Sequence, residues 1–212
     1  MFRDRADAGR QLAAKLTAYA EQHPVVIGLP RGGVPVAAEV ARALHAPLDV
    51  IVVRKLGTPG NPELGFGAVS EEDVVVFNHE VIRHAGLWQS DIDRTIARER
   101  IELQRRLMLL RERHPQIPLK GQTVIIVDDG IATGIDARAA CRVARARGAA
   151  RVVLAMPVAP DDWTITLERE ADAFVAVHED RALGAVGAFY DDFTQVDDDV
   201  VAQCLDAACL TP

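Results

Sequence analysis

The sequence predicts an α/β fold, with a mostly parallel sheet of about five strands and helices on both faces. Two observations support this fold class. Short runs rich in valine and isoleucine alternate along the chain with segments of helical apolar spacing. The apolar runs are continuous rather than interrupted by polar residues, which is typical of strands buried on both faces of a parallel sheet. Such sheets bind ligands at the carboxyl ends of their strands, so we expect the functional site there.

The first part of the predicted sheet lies before residue 57. An opening helix is predicted at 8–21, and a strand follows at 25–29. Apolar residues at helical spacing then predict a helix at 36–44, before a strand at 48–53. Strand and helix therefore alternate from the start of the chain, as a parallel sheet requires.

The alternation is interrupted at about 57–118, where we expect a lid loop and a helical insertion. The segment 57–71 is rich in glycine and proline and predicts a long mobile loop, either a lid over the site or an inert surface connection. A short hairpin strand is predicted at 74–77. The longest helical pattern covers 90–113, with Ser90 as a candidate cap and a charged, solvated face.

The parallel sheet resumes after the insertion. The remaining elements are strands at 123–127, 151–158 and 173–177 and helices at 137–145 and 161–169. The segment at about 178–212 is predicted to form a smaller hood over the site. All these parts are assigned to a single domain over residues 1–212.

Composition and charge narrow the classes of function. At 212 residues, of which 49% are hydrophobic, the chain can bury a sizeable core. A net charge of −7 argues against nucleic acid as the main partner. There is no apolar run of membrane-spanning length and no secretory pattern at the start, so we expect no membrane partner and a cytoplasmic location. Cys141, Cys204 and Cys209 lack metal or redox spacing and are interpreted as buried thiols.

The most informative segment joins a predicted strand to a predicted helix through an acidic pair, Asp128 and Asp129. Carboxylates at a strand end can accept hydrogen bonds from ligand hydroxyls. The loop at 130–134 consists mostly of small residues, so its backbone can approach a ligand, and the first amides of the next helix can bind an anion. A diol about one loop away from a phosphate fits this layout, and ribose 5-phosphate has both groups.

Other chemistries of an acidic pair fit the sequence less well. A nucleotide hydrolase would need a phosphate cradle of the form Gly-x-x-x-x-Gly-Lys followed by Ser or Thr, and the chain has none. A phosphatase with an aspartate nucleophile would need Asp where Gly130 lies. A purely structural turn remains the alternative to a ribose phosphate site.

Three segments resemble the type I phosphoribosyltransferase family. The run 123–137 resembles the family fingerprint of an apolar strand, two acidic residues and a short loop with Thr-Gly near its end. The segment 25–33 resembles the loop that turns its amides toward pyrophosphate, and the strand end at 51–55 resembles the source of basic residues for the same group. A solvated turn or strand end is the alternative for each of these last two segments.

The resemblance implies a Mg²⁺-dependent reaction in which a nucleobase or similar small nitrogen nucleophile displaces pyrophosphate from C1 of phosphoribosyl diphosphate (PRPP). It implies catalytic roles for Arg31, Lys55, Asp128 and Asp129, with Mg²⁺ held mainly through PRPP and not by direct protein ligands. The acidic pair would hold the ribose hydroxyls, the loop amides the 5-phosphate, and the basic residues the diphosphate. The implied PRPP-binding residues are Arg31, Gly32, Gly33, Arg54, Lys55, Asp128, Asp129, Gly130, Ile131, Ala132, Thr133, Gly134, Ile135 and Asp136.

Two positions depart from the family pattern. Ala132 stands where some purine-using relatives have a proton-handling aspartate, so the acceptor stays unassigned. Asp136 stands where the loop usually has Ser or Thr, and its carboxylate either repels the phosphate or caps the next helix. Phe189 and Tyr190 are candidates for stacking on the acceptor, although packing of the last helix explains them equally well.

A second class of function is a regulatory protein that senses PRPP or a nucleotide and has kept the pocket without turnover. Regulators of this fold usually carry an added nucleic-acid surface or domain. The acidic chain has no separate basic domain, which favours the enzyme. A homodimer is compatible with either interpretation.

Overall fold

A computed structural model describes residues 1–181 and 183–209, except the side chains of Glu63 and Cys209. In this part of the chain the strands are β1 (Val25–Gly28), β2 (Leu48–Val50), β3 (Val53–Thr58), β4 (Asn61–Ser70), β5 (Val75–Phe77), β6 (Thr123–Val127), β7 (Arg151–Pro160) and β8 (Ala173–Asp180). The α-helices are α1 (Arg5–Leu16), α2 (Gly33–Leu44), α3 (His79–His84), α4 (Gln89–Arg111), α5 (Ile135–Ala146), α6 (Trp163–Thr166) and α7 (Asp198–Cys209). Turns of 3₁₀ helix lie at Thr17–Gln22 and Val186–Phe189.

The main sheet is parallel and has the strand order β2-β1-β6-β7-β8. Since β1 pairs with β2 on one side and with β6 on the other, the direction in which strands are added reverses between β1 and β6. Such a reversal opens a crevice at the carboxyl ends of the two strands, because the chain leaves them in opposite directions. The predicted five-stranded α/β fold is confirmed.

Helices cover both faces of the main sheet because its strands are apolar on both sides. On one face, α1, α2 and α7 pack on a layer that includes Val26 and Ile125. On the other face, α5 and α6 pack on a layer that includes Ile27 and Ile126. Consecutive residues of one strand thus enter opposite cores, as the alternation of side chains along a strand dictates.

The segment 57–71 is a β-hairpin, so the prediction of a long loop is wrong. β3 and β4 pair antiparallel around a turn at Pro59 and Gly60, and β5 pairs with β4 to complete a second, three-stranded sheet. Gly60 has a φ of +83°, which glycine adopts without steric cost. Gly67 allows β4 and β5 to lie close together, because a side chain there would overlap the Val76 carbonyl of the neighbouring strand. Glycine content therefore marks close strand approach here as well as a turn.

The second sheet lies between α4 and α5. One face packs on α4, where Leu56 and Phe66 meet Leu103. The other face packs on α5, where Ala68 meets Ala139. The predicted lid is therefore attached to a hairpin held on both faces, and the lid function stays a prediction.

Several predicted boundaries need correction. The strand predicted at 48–53 is divided, because β2 ends at Val50 and Val53 begins the hairpin. Trp88 precedes α4 as its N-cap residue without a side-chain cap, so the Ser90 cap is wrong. The helix predicted at 161–169 is the single turn α6. The opening helix starts earlier, because the Asp4 carboxylate caps it by accepting from the amide of its third residue at 2.7 Å.

Cys141 is buried as predicted, whereas Cys204 is half-buried. The predicted burial of Cys209, and the end of the predicted hood at 210–212, lie outside the described residues. Among the described helices, none combines the length and apolar character that crossing a bilayer requires.

Candidate functional site

The acidic pair and the predicted pyrophosphate loop lie side by side at the switch point between β1 and β6. The amide of Leu29 donates to the carbonyl of the last residue of β6 at 2.9 Å, which extends the pairing of the two strands beyond their ends. A side chain on Gly33 would overlap Asp128, and one on Gly32 would overlap the Asp129 carboxylate. Glycine at these two positions therefore lets the loop lie directly against the acidic pair.

Arg31 lies in this loop, half-buried, immediately before the two glycines. The Pro30–Arg31 peptide bond is cis. α2 begins at Gly33, so the loop leads into a helix N-terminus, where the peptide dipoles favour an anion. The structure thus brings Arg31, Gly32 and Gly33 to the acidic pair.

The two carboxylates of the pair have different surroundings. Asp128 accepts a hydrogen bond from the Asp129 amide at 2.8 Å, while burial and the neighbouring Asp129 charge raise its pKa well above the ordinary range. Asp129 forms an ion pair with Arg5, from Nε to Oδ2, at 2.9 Å. Burial nevertheless outweighs the arginine, and the pKa of Asp129 is raised as well. Ligand hydroxyls that donate to these oxygens would stabilise their ionised form.

Arg5 belongs to the site although no sequence pattern singled it out. It is separated from Asp129 by 124 residues, and local spacing cannot reveal such a contact. One weak signal exists in the sequence. Arg5 is the first residue of α1, where the helix dipole favours an acidic side chain over a basic one, so its presence there points to a tertiary role.

Tyr190 binds the backbone of the acidic pair. Its hydroxyl donates to the Asp129 carbonyl at 2.5 Å, and its ring lies 5.2 Å from the ring of Phe2 and 4.9 Å from that of Phe193. The residue is only 6% exposed, which leaves no free ring face for an acceptor, so the stacking role is not carried forward for Tyr190. The same role for Phe189, which is half-buried, stays a prediction.

The loop after the acidic pair leads into α5. Gly134, with a φ of +70°, is the N-cap residue, and the amide of Arg138 makes the first helical bond, to the Gly134 carbonyl at 2.9 Å. The amides before Arg138 therefore precede the helical ladder, including those of the exposed Ala132 and Thr133 and of Ile135 at the start of α5. These are the amides that are predicted to bind the 5-phosphate.

Two residues of this loop have packing roles. Ile131 is buried, and its amide donates to the Val158 carbonyl at 2.9 Å, so that amide is already used within the protein. Gly130 lies under Val186, whose side chain occupies the space that a Cβ would need. These two residues anchor the loop, and a direct contact with PRPP through the Ile131 amide is not compatible with this hydrogen bond.

Asp136 is the second residue of α5, so it is not the cap of that helix, because Gly134 occupies the cap position. Its side chain reaches solvent, yet the surrounding protein removes enough hydration to raise its pKa, and Lys55 opposes this shift. The stem of Lys55 lies across Gly65 of β4, on the side of the hairpin that faces α5. The structure therefore brings Lys55 toward the predicted phosphate end.

Arg54 lies on the opposite face of β3, since adjacent residues of a strand point to opposite sides. Its guanidinium binds the Glu99 carboxylate of α4, with Nη2 at 2.7 Å and Nε at 3.1 Å from Oε2. Glu99 is 8% exposed, so this pair is largely removed from water. The structure thus separates Arg54 from Lys55, and it does not bring Arg54 to the acidic pair.

Known proteins are similar to this chain in sequence. Residues 3–175 match the family described as phosphoribosyl transferase domain. Two proteins of Mycobacterium tuberculosis, from strains CDC 1551 / Oshkosh and ATCC 25618 / H37Rv, each carry the name "Putative phosphoribosyl transferase". Each is 51% identical over 208 residues, which are 98% of this chain and 47% of the relative, so the chain spans about half the length of these curated relatives.

A solved structure is also similar. The crystal structure of TT1426 from Thermus thermophilus is 44% identical, with a TM-score of 0.79 over 96% of this chain and 97% of that one. At this coverage, the likeness applies to nearly the whole of both chains.

Proposed function

The chain belongs to the phosphoribosyl transferase family, and on this premise we propose that it transfers the phosphoribosyl group of PRPP to a nucleobase or similar small nitrogen nucleophile, with release of pyrophosphate. The observation that carries the proposal is the direct packing of Gly32 and Gly33 against the acidic pair. It supports one ligand with an anionic group on the loop and hydroxyls on the carboxylates. PRPP carries both groups on one sugar.

Each part of the site has a distinct task in this proposal. Asp128 and Asp129 accept hydrogen bonds from the ribose hydroxyls, and their charge stabilises the positive character that develops at C1. The amides ahead of α5 hold the 5-phosphate. Arg31 and the loop backbone hold the diphosphate, so it leaves with its charge compensated. Catalysis therefore rests on positioning and electrostatics, and it needs little proton transfer from this loop.

The described residues include no group of three or more His, Cys, Asp or Glu side chains that could hold a metal ion. The proposal therefore has Mg²⁺ arrive on the substrate, because Mg²⁺ keeps several waters and is commonly held through substrate phosphates. The loop at 30–33 would hold it through the diphosphate. When bound, the ion would neutralise charge on the leaving group.

The basic residues of β3 have separate tasks. The family resemblance implies a diphosphate role for Lys55; here we assign Lys55 instead to the phosphate end near Asp136, where its charge offsets that carboxylate. Arg54 would have to exchange Glu99 for a ligand before it could contribute to diphosphate binding. We propose further that the hairpin tip at 58–62 supplies a lid and that the segment after 178 supplies a hood, since closure protects a reactive C1 from water. The cytoplasmic location and the homodimer stay predictions.

Two measurements on the full chain test the proposal. Millimolar PRPP with Mg²⁺ should raise the melting temperature by several degrees, because a ligand at about 100 times its Kd adds about 2.7 kcal/mol of stability. A panel of nucleobases and small amines is then screened for pyrophosphate release. Release with one acceptor supports the transferase. A melting shift without release from any acceptor would favour the PRPP sensor, and no shift would remove both functions.

A further inference from the structure

We propose that Arg5 is a positioning residue for the ribose: it holds the Asp129 carboxylate ionised and oriented toward the sugar hydroxyls, and the joined N-terminal and C-terminal segments hold Arg5 in place. The inference rests on the proposed function, because it assigns a role within PRPP binding. It extends that function to a residue outside the fingerprint and outside the pyrophosphate loop.

The first observation is the ion pair itself. Arg5 Nε lies 2.9 Å from Asp129 Oδ2, and the two side chains are 11% and 17% exposed. A charge-assisted bond in such a shielded position is much stronger than one on the surface. The bond occupies one Asp129 oxygen through Nε and leaves Oδ1 for other donors.

The second observation is that the guanidinium is fixed from its other side. Its Nη1 donates to the Thr194 carbonyl at 2.8 Å, and the ring of Phe193 lies 4.0 Å from its central carbon. Thr194 is held in turn by the Asp192 carboxylate, which accepts from its amide at 2.9 Å and from its hydroxyl at 2.6 Å. The orientation of Arg5 therefore depends on the C-terminal segment.

The third observation is that the segments before and after the main sheet are joined by backbone hydrogen bonds. The Phe2 amide donates to the Phe189 carbonyl at 2.8 Å, and the Asp191 amide donates to the Phe2 carbonyl at 2.8 Å. Asp129 receives one contact from each segment, because Arg5 binds its carboxylate and Tyr190 binds its carbonyl. The two segments thus fix both the side chain and the backbone of Asp129, which is predicted to bind the sugar.

Arg5 also lies beside the other half of the predicted PRPP site. Its Nε lies 3.3 Å from the point where a Cβ of Gly32 would stand, so the guanidinium is adjacent to the pyrophosphate loop. An ion pair that only stabilised the fold could lie elsewhere in the protein, whereas this one lies where the acidic pair and the loop meet. The location favours a role in arranging the ligand groups.

The charged and titratable groups around Asp129 come from four parts of the chain. Asp128 precedes it, with Asp136 of α5 acting on Asp128, and Arg31 lies in the packed loop. Tyr190 approaches from the C-terminal segment, and Asp192 lies near Arg5. Arg5 is the side chain in ion-pair contact with Asp129 in the described structure. Its removal should let Asp129 take up a proton at higher pH, because burial raises the pKa of this carboxyl and Arg5 opposes that shift.

The test compares variants of the full chain by calorimetric titration with PRPP and with inorganic pyrophosphate, both with Mg²⁺, from pH 6 to 9. Arg5→Gln should weaken PRPP binding by at most about tenfold at pH 6, which is the effect of one pKa unit on an acid that is mostly neutral, and by less at pH 9. Pyrophosphate has no sugar, so its affinity should stay within about twofold of the parent over the same range. Arg5→Lys keeps the charge and should restore much of the loss.

The matched control is Arg3→Gln, in the same segment, because Arg3 is exposed and pairs with Asp7 away from the site. Thermal unfolding checks that each variant folds. Should Arg5→Gln fail to fold, Phe193→Leu carries the test. It removes a contact of the guanidinium while Arg5 and Tyr190, the side chains that bind Asp129, both remain, and it should give a smaller loss with the same pH trend.

The outcomes separate this inference from the function on which it rests. Parent protein that does not bind PRPP overturns both. Parent binding together with a folded Arg5→Gln protein that binds PRPP equally well at every pH overturns the role of Arg5 alone. A loss that is independent of pH, or equal for PRPP and pyrophosphate, would make Arg5 a structural residue and would also overturn the inference.

Discussion

The acidic pair at the switch point and the ion network around Asp49 both bury carboxylates beside the main sheet, but the protein surrounds them differently. Asp49 is 2% exposed. Its carboxylate receives Arg111 at 2.6 Å, the Ile117 amide at 3.0 Å and the Val50 amide at 2.7 Å. The carboxylate is therefore satisfied by groups of the protein alone.

A second carboxylate extends this network. Glu71 accepts from the Val52 amide at 2.9 Å and from Gln116 at 3.1 Å, although burial raises its pKa. Arg147 donates to the Ile117 carbonyl at 2.6 Å, and burial lowers its pKa. These bonds connect β2, the residue after β4, the end of α4, the segment before β6 and the residue after α5, so the network ties the end of the second sheet to the first.

The acidic pair lacks such compensation. Arg5 pairs with Asp129 alone, Asp128 accepts only the Asp129 amide among the described contacts, and glycines form the wall opposite the two carboxylates. The difference teaches that burial of charge does not by itself mark a ligand site in this molecule. The carboxylates differ in their donors: among the described contacts Asp49 accepts three hydrogen bonds, whereas Asp128 and Asp129 accept one each, which leaves oxygens for ligand hydroxyls.

The largest effect should come from breaking the satisfied network. Arg111→Met leaves Asp49 buried without its cation, so we expect the free energy of unfolding to fall by about 3–5 kcal/mol, as measured by urea denaturation. The PRPP affinity of the folded fraction should be unchanged. Arg105→Met is the control on the same helix, because its ion pair with Glu102 is exposed, and it should leave the free energy of unfolding nearly unchanged. A loss below about 1 kcal/mol for Arg111→Met would show that the network does not hold the sheets together.

A smaller effect on stability should follow from filling the space beside the acidic pair. In Gly33→Ala the new methyl group meets the Asp128 backbone and the Val127 carbonyl. The loop must then retreat, which should cost about 1–3 kcal/mol of stability. PRPP affinity should fall at least tenfold, on the order of 1.4 kcal/mol. Gly184→Ala is the control, since nothing lies within 4 Å of the added carbon there. Unchanged PRPP affinity in a folded Gly33→Ala protein would remove the loop from the site.

Neutralising the acidic pair should have opposite effects on stability and on binding. In the folded protein the pKa of Asp128 and that of Asp129 lie above the ordinary value of 3.8, so ionisation destabilises the free protein as pH rises from about 4 through the raised values. Asp128→Asn with Asp129→Asn should therefore be more stable than the parent at pH 8, by on the order of 1 kcal/mol, with no advantage near pH 3. It should bind PRPP weakly. Thermal unfolding across this pH range checks the sign, and a double variant that is less stable at pH 8 contradicts it.

The smallest effect concerns Asp136, a third carboxylate at the same site. Because it does not cap α5, Asp136→Ser exchanges a repulsion of the 5-phosphate for a hydroxyl donor. Lys55 already offsets part of that repulsion, so PRPP affinity should rise by at most about fivefold, or about 1 kcal/mol, in a calorimetric titration. Weaker binding by the serine variant would give the carboxylate a positive role.

The sequence predicted the parts of this comparison that are local. The apolar run at 123–127 predicted a buried strand, and the residues after it predicted where the acidic pair would lie, because both depend on neighbours along the chain. The strand order, and with it the switch point, was not predicted, because it depends on which distant strands pair in the folded chain. The hairpin at 57–71 was missed because glycines that allow close strand contact look the same in a sequence as glycines in a loop.

The partners of the charged side chains could not be predicted from local patterns. Arg111 meets Asp49 across 62 residues, and Arg54 meets Glu99 across 45 residues. The sequence contains many acidic residues that could pair with a given arginine. Which of them does so is decided only when the chain packs and brings distant residues together. For the same reason the sequence grouped Arg54 with Lys55, although one strand sends them to opposite faces.

That division of β3 has a consequence for how the sequence can drift among relatives. Position 54 is coupled to position 99 through an ion pair with α4, whereas position 55 is coupled electrostatically to position 136 on α5. Neighbours in the chain should therefore belong to two independent sets of covarying positions. A change of charge at 99 should be accompanied by a change at 54 and not at 55. Two adjacent positions of one strand should therefore covary with different partners.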